Sequence, residues 1–371
     1  MIEEHNQIGR PFQCAGLVNP GSMEKVGLES TALTRIWGAR IHGPGGTLVE
    51  IGSPERTRTW SVCRKLFDEA VVAQAISAGG SLMLNSTPRK TSISEEYVVT
   101  TISTDNVELT VKSKVVLGCD GAHSWVRRYH RMGRVRETMI GFQIDVTGYE
   151  HKEGKLDMYT GQQIAPGFFA WAIPTGTTTR IGTFSRPDLL GGKSSEETLA
   201  ELLNHKLWKG RFEGCSEVGR YCGPVPAKPI KKPAIGRILL FGDAAGLCKP
   251  TTGGGIGPGF THVDNSLSLI STLIESNNID LNATDRWARK IIKPIARKHE
   301  RARGLRDAFL TNSTDEELEA IFRIWARPEV IALIQKYGEI ENPIPLGLKM
   351  LKDVPEFRRI ALRAANSLVF A

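Results

Sequence analysis

The sequence predicts an α/β fold in which a sheet with buried parallel strands is interrupted by an antiparallel sheet and followed by a helical C-terminal region. The first observation is Ile238–Phe241, a short apolar run typical of a strand buried on both faces. The second is Val115–Arg128, which begins with a similar run and continues into the turn Asp120-Gly121. The third is the alternating pattern of Met139–Val146, which indicates an antiparallel strand.

The segment after Ile238–Phe241 carries the strongest ligand signal. Gly242 turns the chain, and Asp243 then stands at the carboxyl end of the strand, where open α/β sheets bind their ligands. Gly253–Gly255 let the backbone approach a flat ring before a helix begins near Ile256, and the positive end of that helix favours a ring that becomes negative on reduction. A flavin dinucleotide fits this pattern, with Asp243 accepting a hydrogen bond from the ribityl chain. The alternative is an ordinary strand-to-helix turn.

Other patterns complete the predicted architecture. Helices are expected over Arg64–Ser77 and Glu196–Trp208, and from Asp285 onward the pattern is helical, broken by Pro328, Pro343, Pro345 and Pro355. Strands are expected over 97–117, Phe169–Ile173 and Arg180–Phe184. The predicted domains are a discontinuous cofactor domain of residues 1–130 and 236–285, a substrate sheet of 131–235 to which 31–60 contributes, and a helical region of 286–371.

The charge and the composition of the chain limit the kinds of binding partner to be expected. The 371 residues carry a net charge of +8, and the segment Arg286–Arg306 contains nine Lys or Arg against the single acid Glu300. Ile291, Ile292 and Ile295 recur there at helical spacing, so the segment is either a surface helix packed by its apolar stripe or a docking helix for an anionic membrane. No nucleic-acid motif accompanies the charge. The six cysteines show no metal-binding spacing, which predicts a chain without a metal site. The expected location is cytoplasmic, peripheral on the membrane face.

The two strand–glycine motifs, in this order, resemble the hydroxylase-like FAD fold. Three segments further resemble the geranylgeranyl reductase family: Glu3 or Glu4 through Val18, Lys249–Ile256, and Phe169–Pro174, an aromatic-x-Trp-x-apolar-Pro box. Phe169 and Ile173 replace the usual Tyr and Phe of that box, and Gly257 stands where the family often has a bulkier residue. These departures leave the exact substrate open.

The resemblance implies FAD as cofactor and a role for each matching residue. The Asp-Gly element would lie near the pyrophosphate, Glu3 at the adenosine ribose, and Arg64 near the diphosphate. Cys14 would face the isoalloxazine as a catalytic proton donor, or would instead be a small buried hydrophobe. The residues expected to contact FAD are Glu3, Arg64, Asp120, Gly121, Gly242, Asp243, Ala244, Gly253, Gly254, Gly255 and Ile256. Those expected to line the substrate cavity are Phe169, Trp171 and Pro174.

The opening of the chain departs from the family. The fold usually begins with a Gly-x-Gly-x-x-Gly turn, a motif that occurs nowhere in this sequence. The expectation is a Rossmann-like FAD-binding domain whose first βαβ unit, about 30 residues, is largely missing. A chain that lacks this unit is expected to be unstable or poor in cofactor.

Three functions are compatible with these patterns. The first is an FAD-dependent reductase of geranylgeranyl double bonds on membrane lipid precursors, with NAD(P)H, ferredoxin or deazaflavin as electron donor and, in some of these cases, an electron-donor protein as partner. The second is a monooxygenase or hydroxylase of the same fold, which differs from a reductase in consuming oxygen. The third is a flavin-free remnant that binds lipid or a partner through the basic helix.

Overall fold

The computed structural model describes residues 1–12, 14–105, 107–277, 279–338 and 344–357. The strands are β1 Leu17–Val18, β2 Ala32–Ile36, β3 Gly38–His42, β4 Leu48–Gly52, β5 Thr59–Val62, β6 Ser86–Ile93, β7 Val98–Thr104, β8 Val107–Ser113, β9 Val116–Gly118, β10 Thr138–Thr147, β11 Lys155–Tyr159, β12 Ala170–Thr175, β13 Thr178–Ser185, β14 Ser216–Pro226, β15 Ala234–Ile235 and β16 Ile238–Leu240. The helices are α1 Pro20–Val26, α2 Arg64–Ser77, α3 Trp125–Tyr129, α4 Ser195–Leu203, α5 Ile256–Glu275, α6 Leu281–Arg306, α7 Asp315–Trp325, α8 Pro328–Tyr337 and α9 Ile344–Asp353.

Strands β9 and β16 are parallel neighbours in a sheet of order β15-β16-β9. Their register pairs Val116 with Ile238 and Gly118 with Leu240, so both strands end at the same edge. The Phe241 N–H then donates to the Gly118 carbonyl at 2.9 Å, which extends the pairing by one step. All three residues of β16 are buried, as the apolar run predicts. The two glycine motifs, distant in sequence, are therefore brought side by side.

A seven-stranded sheet of order β14-β10-β13-β12-β11-β3-β4 forms the second layer. Its neighbours are antiparallel except β3 and β11, which run parallel. β3 and β4 come from residues 31–60, the segment expected to join this sheet. Helix α4 packs on one face through Leu199 and Leu202. Residues of the opposite face, including Trp171 and Ile173, pack with Ile36 from β2. The boundaries of the two domains stay a prediction.

A buried polar cluster supports the α4 face of this sheet. Asp157 of β11 is fully buried, and its carboxylate accepts hydrogen bonds from Arg40 (2.8 Å), His42 (2.9 Å) and Tyr149 (3.0 Å). Burial alone would raise the pKa of Asp157, but the hydrogen bonds from His42 and Arg40 outweigh it and lower the pKa to about 2. The carboxylate stays ionised and joins β11 to β3.

The helix predicted over Glu196–Trp208 is shorter than expected. It starts with a capping box in which Ser194 and Glu197 exchange hydrogen bonds, and it ends at Leu203. The Asn204 side chain donates to the Ala200 carbonyl at 2.9 Å, which satisfies an end carbonyl and stops the helix. Trp208 lies beyond this end and is buried among the core residues of the sheet. Because Trp208 is apolar, the sequence pattern extends to it, although the helical backbone ends at Leu203.

Helix α6 begins at Leu281, four residues before the predicted helical region, because Asp280 caps it by accepting from the Asn282 N–H (2.9 Å). Pro294 lies inside the helix on its exposed side. Farther on, Pro328 opens α8 and Pro345 lies in the first turn of α9, where proline is tolerated, and Pro355 follows α9. Pro343 lies outside the described residues. Among the helices described, none combines the length and the apolar character needed to cross a bilayer.

Candidate functional site

The carboxylate of Asp243 is the centre of the site. It lies in the short 3₁₀ turn Gly242–Ala245 that follows β16, at the edge where β9 also ends. The Cys248 thiol donates to Asp243 Oδ1, with 3.1 Å between sulfur and oxygen. Burial raises the pKa of Asp243, while this hydrogen bond and the charge of Arg64 act to lower it. Burial and the nearby Asp243 also raise the pKa of Cys248, which keeps the thiol protonated as a donor.

Arg127 ties the two glycine motifs together. Its Nη1 donates to the Ala244 carbonyl (2.7 Å) and its Nη2 to the Ala122 carbonyl (2.5 Å), so one buried guanidinium spans both turns. Asp120 lies beside it and accepts from the Val126 N–H at 2.9 Å, at the start of α3. The local sequence of this segment predicts no role for Arg127. Only the pairing of β9 with β16 shows that it reaches the second motif.

Cys14 and Arg64 belong to the same cluster as Asp243. Arg64 is the first residue of α2; it forms two hydrogen bonds with Asp68, Nε to Oδ1 at 2.9 Å and Nη2 to Oδ2 at 3.0 Å. Arg64 also interacts electrostatically with Cys14 and with the Asp243 carboxylate. The Gly16 N–H donates to Cys14 Sγ at 3.3 Å. A thiol, a guanidinium and a half-buried carboxylate from three separate segments therefore lie close together.

The glycine turn before α5 is packed too tightly for side chains. A Cβ on Gly255 would stand 2.9 Å from Asp243 Oδ1 and 3.2 Å from Cys248 Sγ. Gly253 has φ +69°, and a Cβ there would stand 2.6 Å from the ring of Phe184. Gly255 is also the N-cap of the 20-residue helix α5 and caps it with no side chain.

A flavin dinucleotide fits these residues. A Cβ on Gly242 (φ +54°) or on Gly121 (φ +72°) would meet no atom within 4 Å, so both turns leave open space beside the backbone. The first turn of α5 offers N–H groups that no side chain caps, next to the half-buried carboxylate of Asp243. An extended cofactor with a phosphate part and a ring that gains negative charge matches that combination.

The aromatic box faces the glycine turn through Phe184. The Phe184 ring lies 4.7 Å from Trp171, 5.5 Å from Phe168 and 6.5 Å from Phe169, between ring centroids. Trp171 is buried, and its indole N–H has no hydrogen-bond partner in the described part of the chain. Pro174 points to the other side of β12, because side chains alternate along a strand. The structure brings Phe169 and Trp171 together and leaves Pro174 on the α4 side.

Two other predicted cofactor residues make different contacts. The Glu3 side chain accepts from the His5 N–H (2.9 Å) and pairs with His5 Nδ1 (2.6 Å), and its backbone bonds to Met83 and Ser86. Within the described ranges, these contacts of Glu3 involve no other predicted site residue. The side chain of Ile256 packs in an apolar cluster that includes Phe67, so only its backbone N–H is placed for a ligand. Ala244 is fully buried, and Gly254 lies beside Lys249.

Three residues of the site have no role predicted from the sequence. Arg127 and Phe184 contact segments remote in sequence, whereas Cys248 hydrogen-bonds to Asp243, five residues before it. Cys248 lies inside the glycine-rich motif and Phe184 ends a predicted strand, so their positions were signals. Residue type alone does not distinguish the three from core residues.

Comparison with known proteins decides the family. The model of the FAD-binding domain family matches residues 53–278, which is more than half of the chain. The chain belongs to this family. The FAD-binding protein is 27% identical over 306 residues to the digeranylgeranylglycerophospholipid reductase of Methanocaldococcus jannaschii, covering 80% of this chain and 75% of that relative.

Solved structures share the fold of the FAD-binding protein. A geranylgeranyl bacteriochlorophyll reductase-like protein from Thermoplasma acidophilum superposes with a TM-score of 0.78 at 23% identity, covering 95% of this chain and 92% of the other. The flavin-dependent halogenase CmlS gives 0.68 at 15% identity, over 96% and 73%. The predicted fold class and the resemblance to the geranylgeranyl reductases are confirmed, and with them FAD as cofactor and the assignment as an FAD-dependent oxidoreductase.

Proposed function

We propose that this FAD-binding protein reduces C=C bonds of geranylgeranyl chains carried by membrane lipid precursors. The observation that supports this most directly is the contact between Gly253 and the ring of Phe184. It joins the glycine turn, which fits the flavin, to the aromatic box of Phe169 and Trp171. A reductase of isolated alkenes needs this adjacency of redox ring and apolar surface. The relative from Methanocaldococcus jannaschii is named for such a reaction.

We assign each residue proposed to hold FAD to the part of the cofactor that it would contact. Asp243 would accept from the ribityl chain, and Gly253, Gly254, Gly255 and the N–H of Ile256 would lie against the ring. Asp120, Gly121, Gly242, Ala244 and Arg64 would lie along the phosphates, and Glu3 would bind the adenosine ribose once His5 releases it. Once an external electron donor has reduced it, the bound FAD would supply the hydride of the reduction. The chain's own residues would bind the substrate, exclude water and hold the proton.

Phe169 and Trp171 are proposed to bind the prenyl chain. Both belong to an aromatic and aliphatic cluster with Ile36 and Leu156. Each Å² of apolar surface removed from water contributes about 25 cal/mol, so aromatic walls favour a hydrocarbon ligand. They also exclude water, which protects a hydride transfer. Pro174 is left out of this proposed surface because it lies on the opposite face of β12.

Cys14 is proposed as the proton donor. Alkene reduction adds a hydride to one carbon and a proton to the other, and the Cys14 thiol holds a proton at Sγ within the cluster. The Gly16 N–H donates to Cys14 Sγ at 3.3 Å and the guanidinium of Arg64 lies nearby, so both would face the sulfur that gives up the proton. The competing interpretation is that Cys14 only fills space. If Cys14→Ala reduces alkenes as fast as the wild type, the catalytic role is wrong.

The test is anaerobic turnover of a geranylgeranyl lipid, followed by mass spectrometry. Reduction adds two hydrogens per double bond, and a spectrum of the purified protein records whether flavin is present. The same assay with NADPH, reduced ferredoxin or a reduced deazaflavin identifies the electron donor. A monooxygenase, the alternative that shares the fold, would instead consume oxygen in proportion to substrate and add an oxygen atom. Protein without flavin and without turnover would favour the lipid-binding remnant.

The finer localisation is also part of this proposal. A lipid substrate would place the protein on the cytoplasmic face of the membrane, and the basic helix of 286–306 is the segment expected to meet it. An electron-donor protein would be a second partner. Cell fractionation with and without a high-salt wash distinguishes peripheral attachment from a purely cytoplasmic location.

A further inference from the structure

Helix α6 presents a row of cations directly opposite its buried side. The buried positions recur every three or four residues: Thr284, Ala288, Ile292, Ile295, His299, Arg303 and Arg306. The cations of the opposite side recur at the same spacing and are all exposed: Arg286, Lys290, Lys293, Arg297 and Arg301. Residues three and four apart lie on one face of a helix, so these five side chains form a continuous stripe.

The stripe is not neutralised inside the molecule. Arg286 pairs with Asp280 at 3.3 Å, but for the other four cations no ion pair is found among the described residues. Two further cations of the helix, Arg303 and Arg306, are buried against Glu137 and belong to the core. Like charges at helical spacing repel one another and weaken a helix. Because most cations of the stripe are not neutralised within the described part of the protein, they can attract an anionic partner outside it.

A second basic segment from elsewhere in the sequence packs on the side of α6 opposite the stripe. Met132 and Val135 of the loop after α3 share an apolar cluster with Ile292 and Ile295, which are on the buried side of α6. Arg131, Arg134 and Arg136 of this loop are exposed, as is Arg128 of α3. Only the helix stripe is called the basic face below.

We infer that the basic face docks the protein on an anionic phospholipid bilayer. The choice of a lipid among anions rests on the proposed function, because a prenyl lipid is delivered from a membrane. Helix α6 connects the basic face to the aromatic box: on the side of the helix opposite the stripe, Arg306 lies over the ring of Phe168, with 5.6 Å to its centroid, and Phe168 contacts Phe169 and Phe184.

An exposed aromatic side chain accompanies these cations. Trp287, which follows Arg286 in α6, is 37% exposed. Trp favours the headgroup level of a bilayer, where one end of the ring meets apolar surface and the other meets water.

The test is co-sedimentation of the full chain with vesicles of phosphatidylglycerol and phosphatidylcholine, compared with phosphatidylcholine alone. Each Lys or Arg near an anionic surface strengthens binding about fivefold, so Lys290→Gln/Lys293→Gln/Arg297→Gln should weaken it about 100-fold. The control Lys206→Gln/Lys209→Gln/Lys336→Gln removes the same charge from exposed positions outside the basic face. Circular dichroism confirms that both variants fold.

Binding to the anionic vesicles only, loss in the first variant, retention in the control and release at high salt would support the inference. Three results would overturn it: no vesicle binding by the wild type at low salt, equal loss in both variants, or equal binding to neutral vesicles. If the face serves an acidic protein, the first of these is what will be seen. Sedimentation needs neither flavin nor turnover. Reduction of a detergent-dispersed prenyl substrate tests the proposed function separately, so the two can fail independently.

Discussion

Replacing Gly253 by Ala tests the contact between the glycine turn and the aromatic box. Gly253 has φ +69°, and an added Cβ would lie 2.6 Å from two ring carbons of Phe184. That ring has little room to retreat, since Trp171 lies 4.7 Å and Phe168 5.5 Å from it. The substitution therefore adds backbone strain and a steric clash at once.

The two costs can be separated with a second glycine. Gly27 ends α1 at φ +62°, and a Cβ there would meet nothing within 4 Å, so Gly27→Ala carries the backbone cost alone. That cost is about 1–2 kcal/mol, less about 0.4–1 kcal/mol regained from the stiffer unfolded chain. Overpacking adds about 1–3 kcal/mol. We expect Gly253→Ala to lower the free energy of unfolding by about 1–3 kcal/mol more than Gly27→Ala.

Urea denaturation of both variants, with the slope held constant, measures this difference. Combining Gly253→Ala with Phe184→Leu, which removes the ring atoms in question, should recover most of the clash energy in a double-mutant cycle. If Gly253→Ala costs no more than Gly27→Ala, or if Phe184→Leu recovers nothing, the turn and the aromatic box are not in the contact described above.

Three further predictions follow from the buried groups. Asp157→Asn should destabilise the protein by about 3 kcal/mol near neutral pH. Burial is outweighed by the hydrogen bond from His42, and the folded pKa of Asp157 is lowered to about 2, so the carboxylate stabilises the fold above about pH 4 and loses this contribution as pH falls towards 2. The free energy of unfolding of the variant should therefore depend less on pH in this range than that of the wild type. Cys14→Ala should slow alkene reduction by about 10²–10⁴-fold while leaving the flavin spectrum unchanged, measured by single turnover. Arg127→Ala leaves the buried Ala244 carbonyl without its donor and should cost about 1–3 kcal/mol in thermal unfolding, together with weaker FAD binding measured by fluorescence. Arg127→Lys, which keeps the charge but not the two-carbonyl reach, should rescue little of either.

Much of the site follows from strand ends. Asp120 and Asp243 each follow an apolar run, and parallel strands place such residues at one edge, so the cofactor edge is predictable from sequence. The contact of Phe184 with Gly253 cannot be predicted from the sequence, because it depends on how the seven-stranded sheet packs against the glycine turn before α5. The predicted helix end at Trp208 was wrong for a related reason. Trp208 extends the apolar pattern of the helix in the sequence, but a single local hydrogen bond of the Asn204 side chain ends the helix earlier.

The parallel pairing of β3 with β11 has a consequence for how the chain can be divided. An isolated piece of residues 131–235 would leave β11 as a bare edge strand, with backbone groups free to pair with another chain, which favours aggregation. It would also strip Asp157 of the hydrogen bonds from Arg40 and His42, so that Arg211 and Tyr149 would be its remaining donors. Contacts this distant in sequence form late and slowly during folding. Limited proteolysis between residues 52 and 131 should therefore yield fragments that remain associated until denatured, and recombinant pieces should regain solubility only when expressed together.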